Sequence, residues 1–179
     1  MDDFRAAVLG FWFDELEPEQ HFIGSPELDA NIRQRFLPLY ETLMAQPPEA
    51  DTASAETLLA AIIVLDQFPR NMFRGTAQAF ATDPIASKLT HAAIKRGFDL
   101  EIDEARRAFI YMPLMHSEDI ADQTLCVEKF DMMGGNPHAV EHCAVIAKFG
   151  RFPHRNAVLG RRSTADELAY LETAARHGQ

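Results

Sequence analysis

One stretch limits what this chain can fold into. From Leu58 to Gly75 it reads LLAAIIVL and then DQFPRNMFRG. The first half is apolar on every face, so a helix built from it needs neighbours on all sides. A buried strand would show the same run. The lack of a breaker from Ala55 to Gln67, with Ala60 and Ala61 inside, favours the helix. Phe68 precedes Pro69, which disfavours helical geometry at Phe68 and predicts that the helix ends there. A related stretch, VIAKFGRFPHRNAVLG, runs from Val145 to Gly160. Each has an apolar helix, then Phe-Pro, then Arg and Asn, then a glycine, with spacing that differs by one residue.

The rest reads as helices joined by short loops. Phe4, Val8, Leu9, Phe11 and Trp12 crowd one side of a helix over Asp3 to Phe13. A polar connection follows, from Asp14 to Ser25. Pro26 suits a first helical position, and the next helix reaches Ala45, with a bend or split predicted at Pro38. Asp83-Pro84 reads as a cap followed by a first-turn proline, with closure at Gly97. Asp103 starts a helix reaching Pro113, and Ser117, with Glu118 and Asp119, starts another. Asn136-Pro137 starts a helix ending at Gly150, and Thr164 with Glu167 forms a capping box for the last. The expected architecture is all-α: about eight helices in stacked antiparallel hairpins, forming one domain over residues 1–179. No repeat of fixed period near 34 residues is visible.

A net charge of -10 argues against general nucleic-acid binding and against an anionic membrane surface. No apolar run approaches the roughly 20 residues of a membrane span. The amino terminus lacks the basic and apolar regions of a secretion signal. With Cys126 and Cys143 in apolar surroundings, read as reduced thiols, the expected location is the cytoplasm.

The polar residues suggest a site where the two Phe-Pro stretches meet. Asp66 falls at the negative end of a buried helix and needs a cation or several donors. Arg70 and Arg74 are near it in sequence. From His142 to Ala165 there is no Asp or Glu, yet Lys148, Arg151, Arg155, Arg161 and Arg162 fall there. Arg161 and Arg162 read as solvated surface charges, and Arg151 and Arg155 as the better ligand contacts. Guanidinium forks suit carboxylates and phosphates, so the expected partner is a small anionic molecule or a peptide carboxylate. The same groups also suit a purely structural ion-pair knot. His116 beside Glu118 and Asp119, or His142, has the chemistry for proton transfer. His138-Ala-Val-Glu141-His142 matches the His-x-x-Glu-His pattern of one class of zinc peptidases. That pattern has low specificity, and no metal site is assigned. There is no nucleophilic-serine elbow or phosphate-binding glycine loop, the methionines read as core, and no cofactor is indicated.

The blocks LDQFPRNMFRGTAQAFATD, FIYMPLMHSED and FGRFPHRNAVLGRRSTADE, with the amino-terminal VLGFWFDE and LDANIRQRF, resemble a bacterial family of unknown function. The resemblance spans nearly the whole chain. It implies an all-helical, tetratricopeptide-like arrangement of helix pairs, and it implies no activity. The family's pattern falls on Asp66, Gln67, Phe68, Pro69, Arg70 and Asn71, then on Pro113, His116, Ser117 and Glu118. It falls again on His142 and from Phe149 to Asn156, while His138 lies outside it. Where the family usually has Trp-Phe, this chain has His21-Phe22. The family also often has a tryptophan before the central helix, where this chain has a Pro-rich loop.

Two readings follow. One is a polar pocket with Asp66, Arg70, Asn71, Arg151, His154, Arg155 and Asn156 as ligand contacts, and with His116, Glu118 and His142 as catalytic candidates. The other is a scaffold that binds a peptide in a concave groove. The sequence gives no oligomeric state.

Overall fold

The structure, a computed structural model, describes residues 4–173. The expected first-helix start at Asp3 lies outside them. Eight helices carry the described chain, and no strand occurs among the described residues. Helix α1 covers residues 4–15, as Phe4–Gly10 followed directly by a π-helical turn, Phe11–Glu15. Helix α2 is Pro26–Ala45. Helix α3 covers residues 55–72: Ala55–Ile62, a π-helical turn Ile63–Gln67, and Phe68–Met72. Then come α4 (Asp83–Lys95), α5 (Glu104–His116), α6 (Ile120–Asp131), α7 (Pro137–Phe149) and α8 (Ala165–Thr173). Single 3-10 turns occupy Pro18–His21, Ala77–Phe80, Phe98–Glu101 and Pro153–Arg155.

Helix α3 is the hub its composition demands. Leu58 through Leu65 have no exposed surface, and neither has Phe68. Helices α1, α2, α4 and α5 all pack on it. From α4 to α7 each helix packs on the next, as stacked hairpins do. Trp12 is buried at the hub's end, against Phe68, Phe109 and the ring of His21. A smaller apolar cluster, Val145, Ile146 and Phe152 with Phe149 and Tyr170, anchors the segment after α7.

The caps explain most boundaries. Ser25, Ser54, Asp103 and Asn136 each accept a first-turn N–H with their side chains. Thr164 and Glu167 bond reciprocally across the start of α8. Two expected caps are displaced by one or two residues. Helix α4 follows Thr82, which leaves Asp83 inside the first turn with its carboxylate free for other work. Helix α6 is capped by Asp119, which accepts from the Ala121 N–H, while Ser117 accepts from the N–H of Asp119.

The prolines did less than expected. Pro38 does not split α2, and Pro113 does not end α5, which runs on to His116. Nor does α3 end at Phe68, which keeps helical dihedrals of -59° and -38°. A wide turn takes up the misfit there: the Phe68 N–H reaches back five residues to the Ile63 carbonyl.

Candidate functional site

The site begins at the carbonyls around Pro69 that side chains bond. A proline inside a helix cannot donate to the carbonyl four residues earlier, here Leu65. Thr82 replaces that donor, its Oγ1 lying 2.6 Å from the Leu65 oxygen. The next carbonyl, of Asp66, accepts from the Arg70 guanidinium. Wide turns of this kind occur often at functional sites. This one carries Asp66 and Gln67 into the interior, with Asp66 fully buried.

Two acids and two arginines surround that point. The Asp66 carboxylate lies 2.8 and 3.0 Å from His116 Nδ1 and 3.4 Å from Arg70 Nη1, and it accepts from the Gln67 amide. Arg70 forks onto Asp83 at 2.9 and 3.1 Å. Asp83 also receives Arg155 at 3.3 Å, and Arg155 donates to the His116 carbonyl at 3.0 Å. The Arg155 guanidinium sits 4.5 Å from the ring centroids of both Phe80 and Phe152. Asp83 and His116 thus tie the two Phe-Pro stretches together, and the formal charges of the knot cancel.

Burial opposes every charge in the knot, and the neighbours decide each outcome. Burial alone would raise the pKa of Asp66, but Arg70, His116 and Gln67 outweigh it and hold the carboxyl below the usual carboxylate range. His116 is pushed down, first by burial and then by Arg70, despite Asp66. Arg155 falls to about 10 for the same two reasons, burial and Arg70. An ionised carboxylate can only accept, so the neutral His116 ring carries its proton on Nδ1 and leaves Nε2 bare. Among the described residues no group bonds Nε2, and it is not among the buried atoms left without a partner. His116 is 7 % exposed, and that surface faces a cleft.

The cleft holds about 920 Å³. One wall is the end of α3, with Gln67, Arg70 and Asn71 on one face, continued by Arg74 in the turn that follows. A second wall is α5, from Ala105 to His116. The end of α1 and the connection after it supply a third, including Phe13, His21 and Phe22, and α7 contributes His138 and His142. Asn71 and Arg74 both bond Asp29, the arginine at 2.8 and 3.0 Å. His21 Nε2 meets the Trp12 carbonyl at 2.6 Å, and burial lowers its pKa. His142 Nδ1 lies 3.0 Å from the Met115 carbonyl.

The remaining expected site residues lie elsewhere. Glu118 accepts the Phe152 N–H at 2.8 Å and both arms of Arg161 at 2.7 and 2.9 Å. Arg161 is therefore a clamp and not the solvated charge its sequence context suggests. Arg151 forks onto Glu167 at 2.6 and 2.9 Å, which holds the Glu167 carboxyl down at about 2 with help from the Thr164 N–H. Asn156 bonds Ser163 and Glu167. His154 sits beside the Phe152 ring. Arg151 and Glu167 instead border a separate depression of about 370 Å³ with Lys148 and Phe149. Of the ten candidates, Asp66, Arg70, Asn71, His116, His142 and Arg155 line the cleft or its underlying knot, and Glu118, Arg151, His154 and Asn156 brace the segment after α7.

Sequence reasoning missed Asp83, Asp29, Thr82 and His21. Asp83 was hidden by its resemblance to a cap, while His21 had a signal, standing where the family has an aromatic. No group of three or more His, Cys, Asp or Glu side chains is placed to hold a metal among the described residues, and both cysteines are free. No described helix is long and apolar enough to cross a membrane.

Comparison with known proteins agrees with the fold. Residues 8–175 match the model of a family described as bacterial protein of unknown function, DUF924. A solved structure of a protein of unknown function from Agrobacterium tumefaciens is similar, with 38% identity and a TM-score of 0.90. The match covers 95% of this chain and 97% of that one. Comparison with curated proteins found no match.

Proposed function

The chain belongs to the DUF924 family, whose description carries no activity, and from that premise we propose a function built on the cleft alone: a small-molecule enzyme in which His116 acts as a general base aligned by Asp66. The observation that carries this reading is the dyad geometry. Asp66 holds Nδ1 at 2.8 Å, and Nε2 is left unbonded toward a cleft of ligand size. A carboxylate behind an imidazole fixes the tautomer and stabilises the imidazolium once Nε2 has taken a proton. Burial keeps the resting ring neutral at pH 7, as a base requires.

The expected anionic partner gains less support. Arg70 is matched by Asp83 and Asp66, and Arg74 by Asp29, while Arg151 holds Glu167 outside the cleft. These guanidiniums already have their carboxylates. Nothing favours the peptide-groove alternative, because the polar groups converge on one end of α3. Nitrogen-15 NMR of the imidazoles tests the base. At pH 7 the His116 Nε2 resonance is expected in the unprotonated range, and Asp66→Asn is expected to shift the ring toward the other tautomer. A protonated Nε2 in the wild type would overturn the proposal.

A further inference from the structure

The walls of the cleft say what kind of molecule it takes, an inference that rests on the cleft being the functional site. Helix α5 turns Ala105, Ala108, Phe109, Met112 and Met115 toward it, and the stripe ends at His116. Eleven residues of helix separate Ala105 from His116, a length of about 16 Å. Phe109 and Met115 are largely covered, so the open stripe is Ala105, Ala108 and Met112. Two small side chains there leave a shallow trough. Phe22 lies over Phe109 with its ring nearly parallel, at 14°, yet stays 63% exposed. A small polar metabolite would leave this apolar length unused.

Charge points the same way. The cations at the dyad end are matched, and Asp14 and Glu17 are exposed on the lining without a counter-cation from the cleft. The neutral amides of Gln67 and Asn71 line the same cleft as His116. A bare imidazole nitrogen accepts a hydrogen bond, and amides both donate and accept. We propose that the cleft takes an elongated neutral amphiphile, with a hydrogen-bond-donating head such as a carboxamide at His116 and an apolar arm along α5.

Displacement of the neutral fluorophore N-phenyl-1-naphthylamine tests this. The competitors are straight-chain primary amides from butanamide to decanamide, and carboxylates of the same lengths. The dye is expected to bind one per chain, and amide affinity to rise up to about fourfold per methylene. Each carboxylate is expected to bind at least tenfold more weakly than its amide. Ala105→Trp, at an exposed position on the far end of the stripe, is expected to weaken decanamide while sparing butanamide. A flat length series, carboxylates equal to or better than amides, or an Ala105→Trp variant that affects both lengths alike would overturn the inference. The length series and the Ala105→Trp effect do not depend on the His116 tautomer. A protonated Nε2 with an intact length series would reject the general base and the donor contact at His116 while keeping the apolar arm along α5, and a bare Nε2 with no length series would reject the ligand class alone.

Discussion

Replacing Asp83 with Asn is the most searching test of the knot. The change keeps the shape and removes the one carboxylate shared by Arg70 and Arg155. Before it, two acids balance two guanidiniums; afterwards only Asp66 remains for both. At an effective dielectric of about 20, one pair at roughly 3 Å is worth about 5 kcal/mol of Coulomb energy. The contacts share atoms and Asp83 is 17% exposed, so that figure is a ceiling. Arg155 also keeps its bond to the His116 carbonyl and its two aromatic neighbours. The expected loss is about 3 kcal/mol, typical of removing one partner from a buried pair. For a chain this long that lowers the melting temperature by roughly 6–12 °C. Trp12 is the sole tryptophan and is 1% exposed, so urea unfolding followed by its fluorescence reads the change. Adding Arg155→Met should cost about 1–2 kcal/mol less in the Asp83→Asn background than in the wild type. A loss below about 1 kcal/mol, with additive effects in the double mutant, would mean the knot is not load shared between the two stretches, and the reasoning fails.

Two further predictions concern the same neighbourhood. Thr82→Val removes the hydroxyl that bonds the Leu65 carbonyl, whose usual donor four residues on is Pro69, which has no N–H. The expected cost is about 1–3 kcal/mol by urea unfolding, with Thr82→Ser close to wild type. Stability should also fall with acid in two stages. His116 and His21 have lowered pKa values, so the unfolded chain gains protons first, and stability declines as pH drops below 6.5. Asp66 is depressed from 3.8 toward about 2, so its contribution is complete above 3.8 and is lost as pH falls through that lower range. Denaturation from pH 8 to pH 2 checks both limbs. His116→Gln should shrink only the first, and stability that rises between pH 7 and pH 5 would contradict the assignment.

What was legible in the sequence is what depends on side-chain type at short range. An apolar run with no polar face had to be a hub, and Ser25, Asn136 and the Thr164–Glu167 pair mark helix starts by local hydrogen bonds alone. Charge pairing was not legible, because it is decided by distant partners. Arg70 meets a carboxylate 13 residues away, Arg74 one 45 away and Arg155 one 72 away. An arginine count reads as positive potential until those acids are placed, and the acids that hold Arg70, Arg74 and Arg155 lie too far along the chain to be read from local sequence.

One misreading was at Pro69, and its cause bears on the site. The rule that a residue before proline leaves the helix assumes an unbroken α-helical register. One inserted residue relaxes that constraint and rotates everything after it by about 100°. From Leu58 to the wide turn α3 has no face to spare, being buried all round. Downstream, the rotated register puts Gln67, Arg70 and Asn71 on one side, and that side is part of the cleft wall. The cost is an orphaned Leu65 carbonyl, which Thr82 satisfies, and Thr82 stands next to Asp83, which holds Arg70 and Arg155. The proline, the wide turn, the threonine and the shared acid are therefore one arrangement: each is costly alone, and together they set a buried carboxylate behind a histidine at the edge of a cavity.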